Sequence, residues 1–432
     1  MNDLEPLAVI AAARTPFAKA FGTFAGVSAV ELGSIALRDA IKRSGIKSDA
    51  VDEVVFGNVA GPPDAANIAR VVALSSGIPN DRIAHTVNRN CASGIESVIA
   101  AWHALASERA TIIAAGGTES MSQIPFLVTS EAAAIWMKLA RSKSLREKLA
   151  TLSRFRPKHF KPVVGVELGL TDPVSGLNMG ETAELLAKEF AITRDEQDRF
   201  AMESHQKAES TQKQCFLSGE IVPVDVHGES FEKDNAIRYG QSMASLAKLR
   251  PIFYRNGSVT AGNSCPLTDG AAAMVLSRAS ETDRFDVAPL GYITAYAIAG
   301  CDPRRMGLGP VYAIAKLLRQ TGLSISDFDL IEINEAFAAQ VIACERAMAS
   351  RSFAKKELGM TSAVGEMDPA KRNVHGGAIA IGHPVGTTGT RLILTMLRSL
   401  RESGGTRGLV TLCVGGGQGV AVVVETHSEK RS

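Results

Sequence analysis

Residues 385–400 read "VGTTGTRLILTMLRSL", and residues 91–105 read "CASGIESVIAAWHAL". Setting Ser93-Gly94 on Thr388-Gly389 makes the two apolar helices coincide. The flanking segments then fall into step. "LGYITAYAIAG" (290–300) takes the place of the opening strand "LAVIAAARTP", and "PVYAIAKLLRQTG" that of the helix "SAVELGSIALRDAIKRSG". "FDLIEINEAFA" answers "VDEVVFGNVAG", and "GLVTLCVGGGQG" answers "ATIIAAGGTES". Strand and helix alternation argues for a sheet with helices packed on it. Alternation alone also arises by chance, but the kept order of elements indicates an internal duplication.

The chain has 432 residues, more than one ordinary core accommodates, so two or three units are expected. Hydrophobic residues make up 45% and charged residues 21%, with 39 glycines and 5% aromatics, which favours an α/β enzyme rich in tight turns. A formal net charge of +2 gives no general attraction to nucleic acid. The six cysteines, Cys91, Cys215, Cys265, Cys301, Cys344 and Cys413, form no CxxC pair and no zinc-ligand spacing. A reducing, cytoplasmic compartment fits them. The apolar strand near the start leaves no room for a leader, and no apolar run reaches the roughly 20 residues needed to span a bilayer.

Four places carry candidate chemistry. Cys91 stands at the head of an apolar helix, where free N–H groups and the helix dipole favour a thiolate and can face an oxyanion. On position alone, a small buried cysteine is an equal reading. His383, between glycine and proline in "GGAIAIGHPVG", is a base for such a thiol; a surface turn is the bland alternative. Cys413 ends a buried strand before three glycines that match no phosphate loop. Asn334 in "IEINEAFAAQ" either caps a helix or holds a water against a carbonyl oxygen.

These motifs, with "RTPFAKAFG", "GGTESMS", "LNMGETAE", "TRDEQD", "GNSCPLTDGAAA" and "GLGPVYAI", make the chain resemble the thiolase family over nearly its whole length. The resemblance implies a thiolase fold. That is an α/β architecture of two duplicated mixed-sheet halves forming a five-layered αβαβα core, plus a loop domain. The corresponding divisions are 1–125 with 251–286, 126–250, and 287–432. It implies Cys91 as the acyl-accepting nucleophile. His383 would activate it and form one oxyanion hole with a water on Asn334. Cys413 would be the acid/base on the α-carbon, and the N–H groups of Cys91 and Gly415 a second oxyanion hole. Met179, Ala261, Ser264 and Cys265 would face substrate or the pantetheine of coenzyme A.

The implied activity is thiolytic cleavage of 3-oxoacyl-CoA in fatty-acid degradation. A short-chain acetoacetyl-CoA thiolase working toward condensation is the alternative, and an inactive lipid-binding or scaffold subunit a remote one. Coenzyme A would be a co-substrate, with no prosthetic group and no metal, and the chain a homodimer or homotetramer.

Some positions depart from the family pattern. Cys265 stands where a serine is common, His375 where asparagine is, and Asn178 where short-chain members carry histidine. The basic stretch 138–161 is similar to an insertion in thiolase β subunits of the trifunctional complex, although those usually have histidine where Asn334 stands. It reads as a solvated face, as an attractor of CoA phosphates, or as a contact for a hydratase/dehydrogenase partner subunit or a membrane surface.

Overall fold

The computed structural model describes residues 4–427. Residues 1–3 and 428–432, which include the start read above for a leader and the ends of both expected halves, lie outside them. The main strands are β1 (Leu7–Arg14), β2 (Glu53–Gly57), β3 (Ile83–Val87), β4 (Ile113–Glu119), β5 (Thr268–Arg278), β6 (Gly291–Gly300), β7 (Leu330–Ile333), β8 (Arg407–Val414) and β9 (Gln418–Glu425). They form one sheet in the order β7-β8-β9-β6-β1-β5-β4-β2-β3, with Ala18–Lys19 added beside β5.

The duplication is visible in this order. β1-β5-β4-β2 in the first half repeats as β6-β9-β8-β7 in the second. The directions repeat too: β1/β5, β5/β4, β6/β9 and β9/β8 are antiparallel, while β4/β2 and β8/β7 are parallel. The halves join where Leu7–Val9 pair with Gly291–Ile293. Register shifts lie beside this joint, between Val9 and Ala11 and between Ile293 and Ala295. Such bulges bend and twist a strand. The sheet folds over here and encloses two helices, α3 (Ser93–Ala106) and α10 (Thr388–Ser403).

Three apolar clusters fill the five layers. Ile95, Val98 and Trp102 meet Leu392, Met396, Val410 and Val422 in the middle. Helices α1 (Ala29–Ser44) and α2 (Ile68–Ser75) cover the first half with Leu32, Leu37 and Ile68. On the second half, α8 (Gly309–Thr321) contributes Val311, Ile314 and Leu317. Helix ends follow local chemistry. Ser28 caps α1, whose last turn closes on Gly45 at φ 75°, a conformation that favours glycine.

The two inner helices approach at their first turns. A Cβ on Gly94 would lie 2.8 Å from the Thr390 nitrogen, and one on Gly389 would lie 2.6 Å from the Ile95 nitrogen. Thr390 Oγ1 donates to Gly94 O at 3.1 Å across the crossing. The Ser93-Gly94/Thr388-Gly389 match in sequence is therefore also a contact in space.

Residues 120–267 are inserted between β4 and β5, where the second half has only the Gly415–Gly417 turn between β8 and β9. The insertion holds α4 (Ser130–Arg141), α5 (Leu145–Leu152), α6 (Met179–Glu189) and α7 (Arg194–Lys213). As the sequence suggests, Thr193 and Glu196 form a capping box on α7. Arg14, at the end of β1, anchors the insertion. It donates to Glu220 at 2.8 Å and to both Asp234 oxygens at 2.8 Å, with all three side chains buried. Arg14→Ala leaves buried Asp234 without a cation and Glu220 with only Arg398 at 3.9 Å, so urea unfolding should show a loss of about 3–5 kcal/mol.

Candidate active site

The first turns of α3 and α10 bring two loops together. Cys91 precedes Ala92, the N-cap of α3, so it sits one residue outside the cap. Its turn is held by Ser93 Oγ, which accepts from Arg89 N at 2.9 Å and donates to Asn90 O at 2.7 Å. Asn90 adopts φ 45°, a left-handed conformation that asparagine tolerates, and its Nδ2 donates to Gly415 O at 2.7 Å. This bond ties the Cys91 turn to the glycine turn after β8. The N–H groups of Gly415 and of Cys91 itself both approach the Cys91 sulfur.

The surroundings act on the Cys91 thiol in both directions. Burial pushes the Cys91 thiol above its ordinary value, and the Gly415 and Cys91 N–H groups pull back less strongly. The resting group is a thiol that needs a base.

His383 is buried in the loop before α10. Its Nδ1 lies 2.7 Å from Thr388 Oγ1, whose own proton goes to Pro384 O at 3.1 Å. The hydroxyl oxygen is thus the acceptor, Nδ1 carries the proton, and Nε2 is the free base. Nε2 is buried with no hydrogen-bond partner among the described residues. Burial, and then the nearby Arg391 cation, hold the imidazole down at about 4, so it is neutral at physiological pH.

Asn334 lies in the loop after β7, its own N–H bonded to Thr411 O at 3.0 Å. Both atoms of its buried amide lack partners among the described residues. It does not open a helix: α9 (Ala338–Ala349) starts four residues later, with Phe337 at the N-cap. The capping alternative is thereby excluded.

Cys413 is buried on β8 with Met306, Phe337 and, packed beside them, Met179. Burial raises its thiol well above the ordinary value, and the charges of Cys91, Cys344 and Cys265 push the same way. Cys265 is pushed up to about 12 by burial and then by Cys91. Three thiols, Cys91, Cys265 and Cys413, therefore share one electrostatic neighbourhood.

The remaining expected residues fall at the start of α6 and in the loop before β5. Met179 opens α6, and its sulfur lies 3.4 Å from where a Gly415 Cβ would stand. Asn178, the histidine replacement, caps α6 by accepting from Gly180 N at 3.0 Å. Cys265 donates its N–H to Ala336 O at 3.0 Å, and Ser264 bridges to Phe337. Ser264 Oγ is occupied by Thr260 O at 2.8 Å. Ala261 is exposed on the outer turn of the same loop. Sequence reasoning overlooked Asn90 and Thr388. Asparagine just before a turn cysteine was a usable signal for the first, and a hydroxyl one helical turn past the histidine for the second.

Comparison with known proteins places this architecture. The family model for the thiolase N-terminal domain matches residues 7–280, and that for the thiolase C-terminal domain matches 287–426. The chain belongs to the thiolase family. It is 40% identical over 425 residues to a 3-ketoacyl-CoA thiolase of Yersinia pestis, covering 98% of this chain and 97% of the relative. The acetyl-CoA acetyltransferase of Bacillus anthracis superposes with a TM-score of 0.85 at 34% identity, covering 99% of this chain and 100% of that one. Human mitochondrial 3-ketoacyl-CoA thiolase in complex with CoA does so with a TM-score of 0.85 at 34% identity, covering 98% of each chain.

The pH dependence of Cys91 follows from its surroundings. Alkylation by iodoacetamide, followed at Cys91 by mass spectrometry, should show a midpoint above that of an ordinary thiol. Unfolding in urea should lower the midpoint to the ordinary value.

Proposed function

We propose that this chain cleaves 3-oxoacyl-CoA with CoA, giving acetyl-CoA and an acyl-CoA shortened by a two-carbon unit. The observation that carries the reading is the pair of buried, unpartnered polar groups, His383 Nε2 and the Asn334 amide. Such groups are costly unless a ligand or water completes them.

The steps follow from the protonation states. His383 Nε2 takes the proton of Cys91 as the sulfur attacks the ketone carbon. The oxyanion is held by N–H groups at the Cys91–Gly415 junction or by the His383 and Asn334 pair. The bond between the α- and β-carbons breaks, and its electrons stay on the α-carbon as an enolate. Cys413, kept protonated by burial, donates its proton there and acetyl-CoA leaves. The Cys413 thiolate then takes the proton of the incoming CoA thiol, which accepts the acyl group from Cys91. His383 returns the first proton to Cys91. An acyl-enzyme of this kind gives ping-pong kinetics. The Met179, Ala261, Ser264 and Cys265 segments border the approach and are the proposed contacts of substrate and pantetheine. Six free thiols suit a reducing, cytoplasmic setting.

Acetyl-CoA release from four- and sixteen-carbon 3-oxoacyl-CoA tests the proposal, with Cys91→Ala as control. Turnover lost in the control is expected, and no thiolysis of either substrate would overturn it. Asn334→Ala should lower kcat by about 10²–10³-fold, as loss of an oxyanion donor does.

Two partner readings have specific support. β7 is covered at its outer edge by Lys371–Asn373, where Ile331 N donates to Lys371 O at 2.9 Å and Asn373 N to Ile331 O at 2.9 Å. β3 ends the other side of the sheet with an exposed Ile83. An open strand edge invites pairing, and a second copy of this chain is the proposed occupant, giving a homodimer. The basic stretch exposes Trp136, Met137, Leu145, Leu149 and Phe160 beside Lys138, Arg141, Arg146 and Lys148. Apolar and basic groups together suit an anionic lipid surface better than water alone. Vesicles rich in phosphatidylserine should sediment the protein, and Trp136→Glu with Leu149→Glu should abolish this while leaving the KM for CoA within about two-fold.

A further inference from the structure

The shared register of the two halves pairs individual residues. Asn58 follows β2 as Asn334 follows β7. Gly57 faces Gly117 on β4, and Ile333 faces Thr411 on β8. Two residues further along, Glu119 therefore occupies the place of Cys413. With Ser93 set on Thr388, Gly386 occupies the place of Cys91. The set Cys91, Asn334 and Cys413 thus has a counterpart in Gly386, Asn58 and Glu119.

The two sets differ in one respect. The Asn334 amide is unpartnered. The Asn58 amide is consumed: its Nδ2 donates to Glu119 Oε1 at 3.0 Å and to Thr118 O at 2.8 Å. The Glu119 carboxylate also accepts from Val59 N at 3.1 Å, Ala60 N at 3.0 Å and Gly386 N at 2.8 Å. Gly386 lies in the turn between His383 and Thr388, the residue that fixes the His383 tautomer. The turn fits no side chain there, since a Gly386 Cβ would lie 2.7 Å from Glu119 Oε2.

We propose that Glu119 is a positioning residue for acyl transfer: its carboxylate fills the disused counterpart of the thiol site, pins the His383–Thr388 turn to the ends of β2 and β4, and sets a negative charge against the Cys91 thiol. This rests on the thiolase reading of the Cys91 site. The titratable groups facing Glu119 are Asp269 on β5 and Cys91 before α3. Among the described residues, no cationic side chain is hydrogen-bonded or ion-paired to it, and its four hydrogen bonds all come from N–H donors. Burial pushes its carboxyl up to about 7, so the charge is present above neutrality and lost below it.

The test uses the purified full chain, with Glu119→Gln and Glu119→Asp. Turnover of 3-oxohexadecanoyl-CoA with CoA and the pH profile of Cys91 alkylation are measured in parallel. Glu119→Gln should lower kcat by about 100-fold, as a misplaced catalytic group does, with the KM for CoA within about two-fold. Its alkylation midpoint should move to lower pH, because a negative charge near the thiol is gone. Glu119→Asp keeps the charge and should keep the wild-type midpoint. A wild-type kcat or an unmoved midpoint in Glu119→Gln overturns the proposal; a purely structural glutamate would change stability without moving the midpoint. If Glu119→Gln does not fold, Asn58→Ala removes one donor and retains the carboxylate. Lower kcat at unchanged KM supports the role, and wild-type kcat overturns it. Alkylation needs no turnover. A wild-type chain inactive in thiolysis would defeat the functional reading, while the alkylation profiles would still decide the role of Glu119.

Discussion

Everything at the site depends on the crossing of α3 and α10 at Gly94 and Gly389. With no Cβ on either side, backbone meets backbone, and the starts of the two helices are drawn together. Cys91 comes from one loop and His383 from the other, at opposite ends of the sequence. Any side chain at the crossing would push the two helix starts apart, and with them the loops that carry Cys91 and His383. The middle apolar layer, in which Ile95 and Trp102 pack with Leu392 and Met396, holds that contact between the two halves of the sheet.

Duplication supplied two sets of strand ends and helix starts, and the halves have since diverged in what they do there. One set keeps thiols and an unsatisfied amide. The other is filled by a carboxylate that satisfies its own amide and binds the turn of the first set. The same backbone geometry thus leaves polar groups open in one half and satisfies them in the other. Burial acts on both. It keeps Cys91 and Cys413 protonated and His383 neutral, which is the starting arrangement that proton transfer through His383 requires.

Much of this was legible in the sequence because backbone necessity leaves marks. The glycines at 94 and 389, the capping residues Ser28 and Thr193 and the glycine turn 415–417 all point to their elements. The repeat of segments in the two halves could be read from their order along the chain, but the strand order in the sheet could not, because β5 joins from beyond the insertion. Other features left no such mark. Asn334 resembled a cap because an apolar helix follows, but the chain spends four residues reaching it. The N–H neighbours of Cys91 could be expected from its place before a helix, while the desolvation that acts against them belongs to the assembled core. Glu119 lay in a motif quoted for the family, yet its partners Asn58 and Gly386 are 61 and 267 positions away. The exposed apolar face of α4 and α5 was hidden by its basic neighbours, which dominate a reading by charge.

The position of β5 has a consequence for how the chain is made. It stands between β1 and β4, yet it is synthesised after the whole 120–267 insertion. The first half therefore cannot close its sheet until Arg278 has left the ribosome. Until then β1 has no neighbour on either side, since its other partner, β6, is later still. The insertion emerges in the meantime, and Glu220 and Asp234, the partners of Arg14, are synthesised before β5. The ion pairs that anchor the insertion are thus available to hold the growing end of β1 in place while the sheet waits for its central strand, in a topology whose long-range pairings make folding slow.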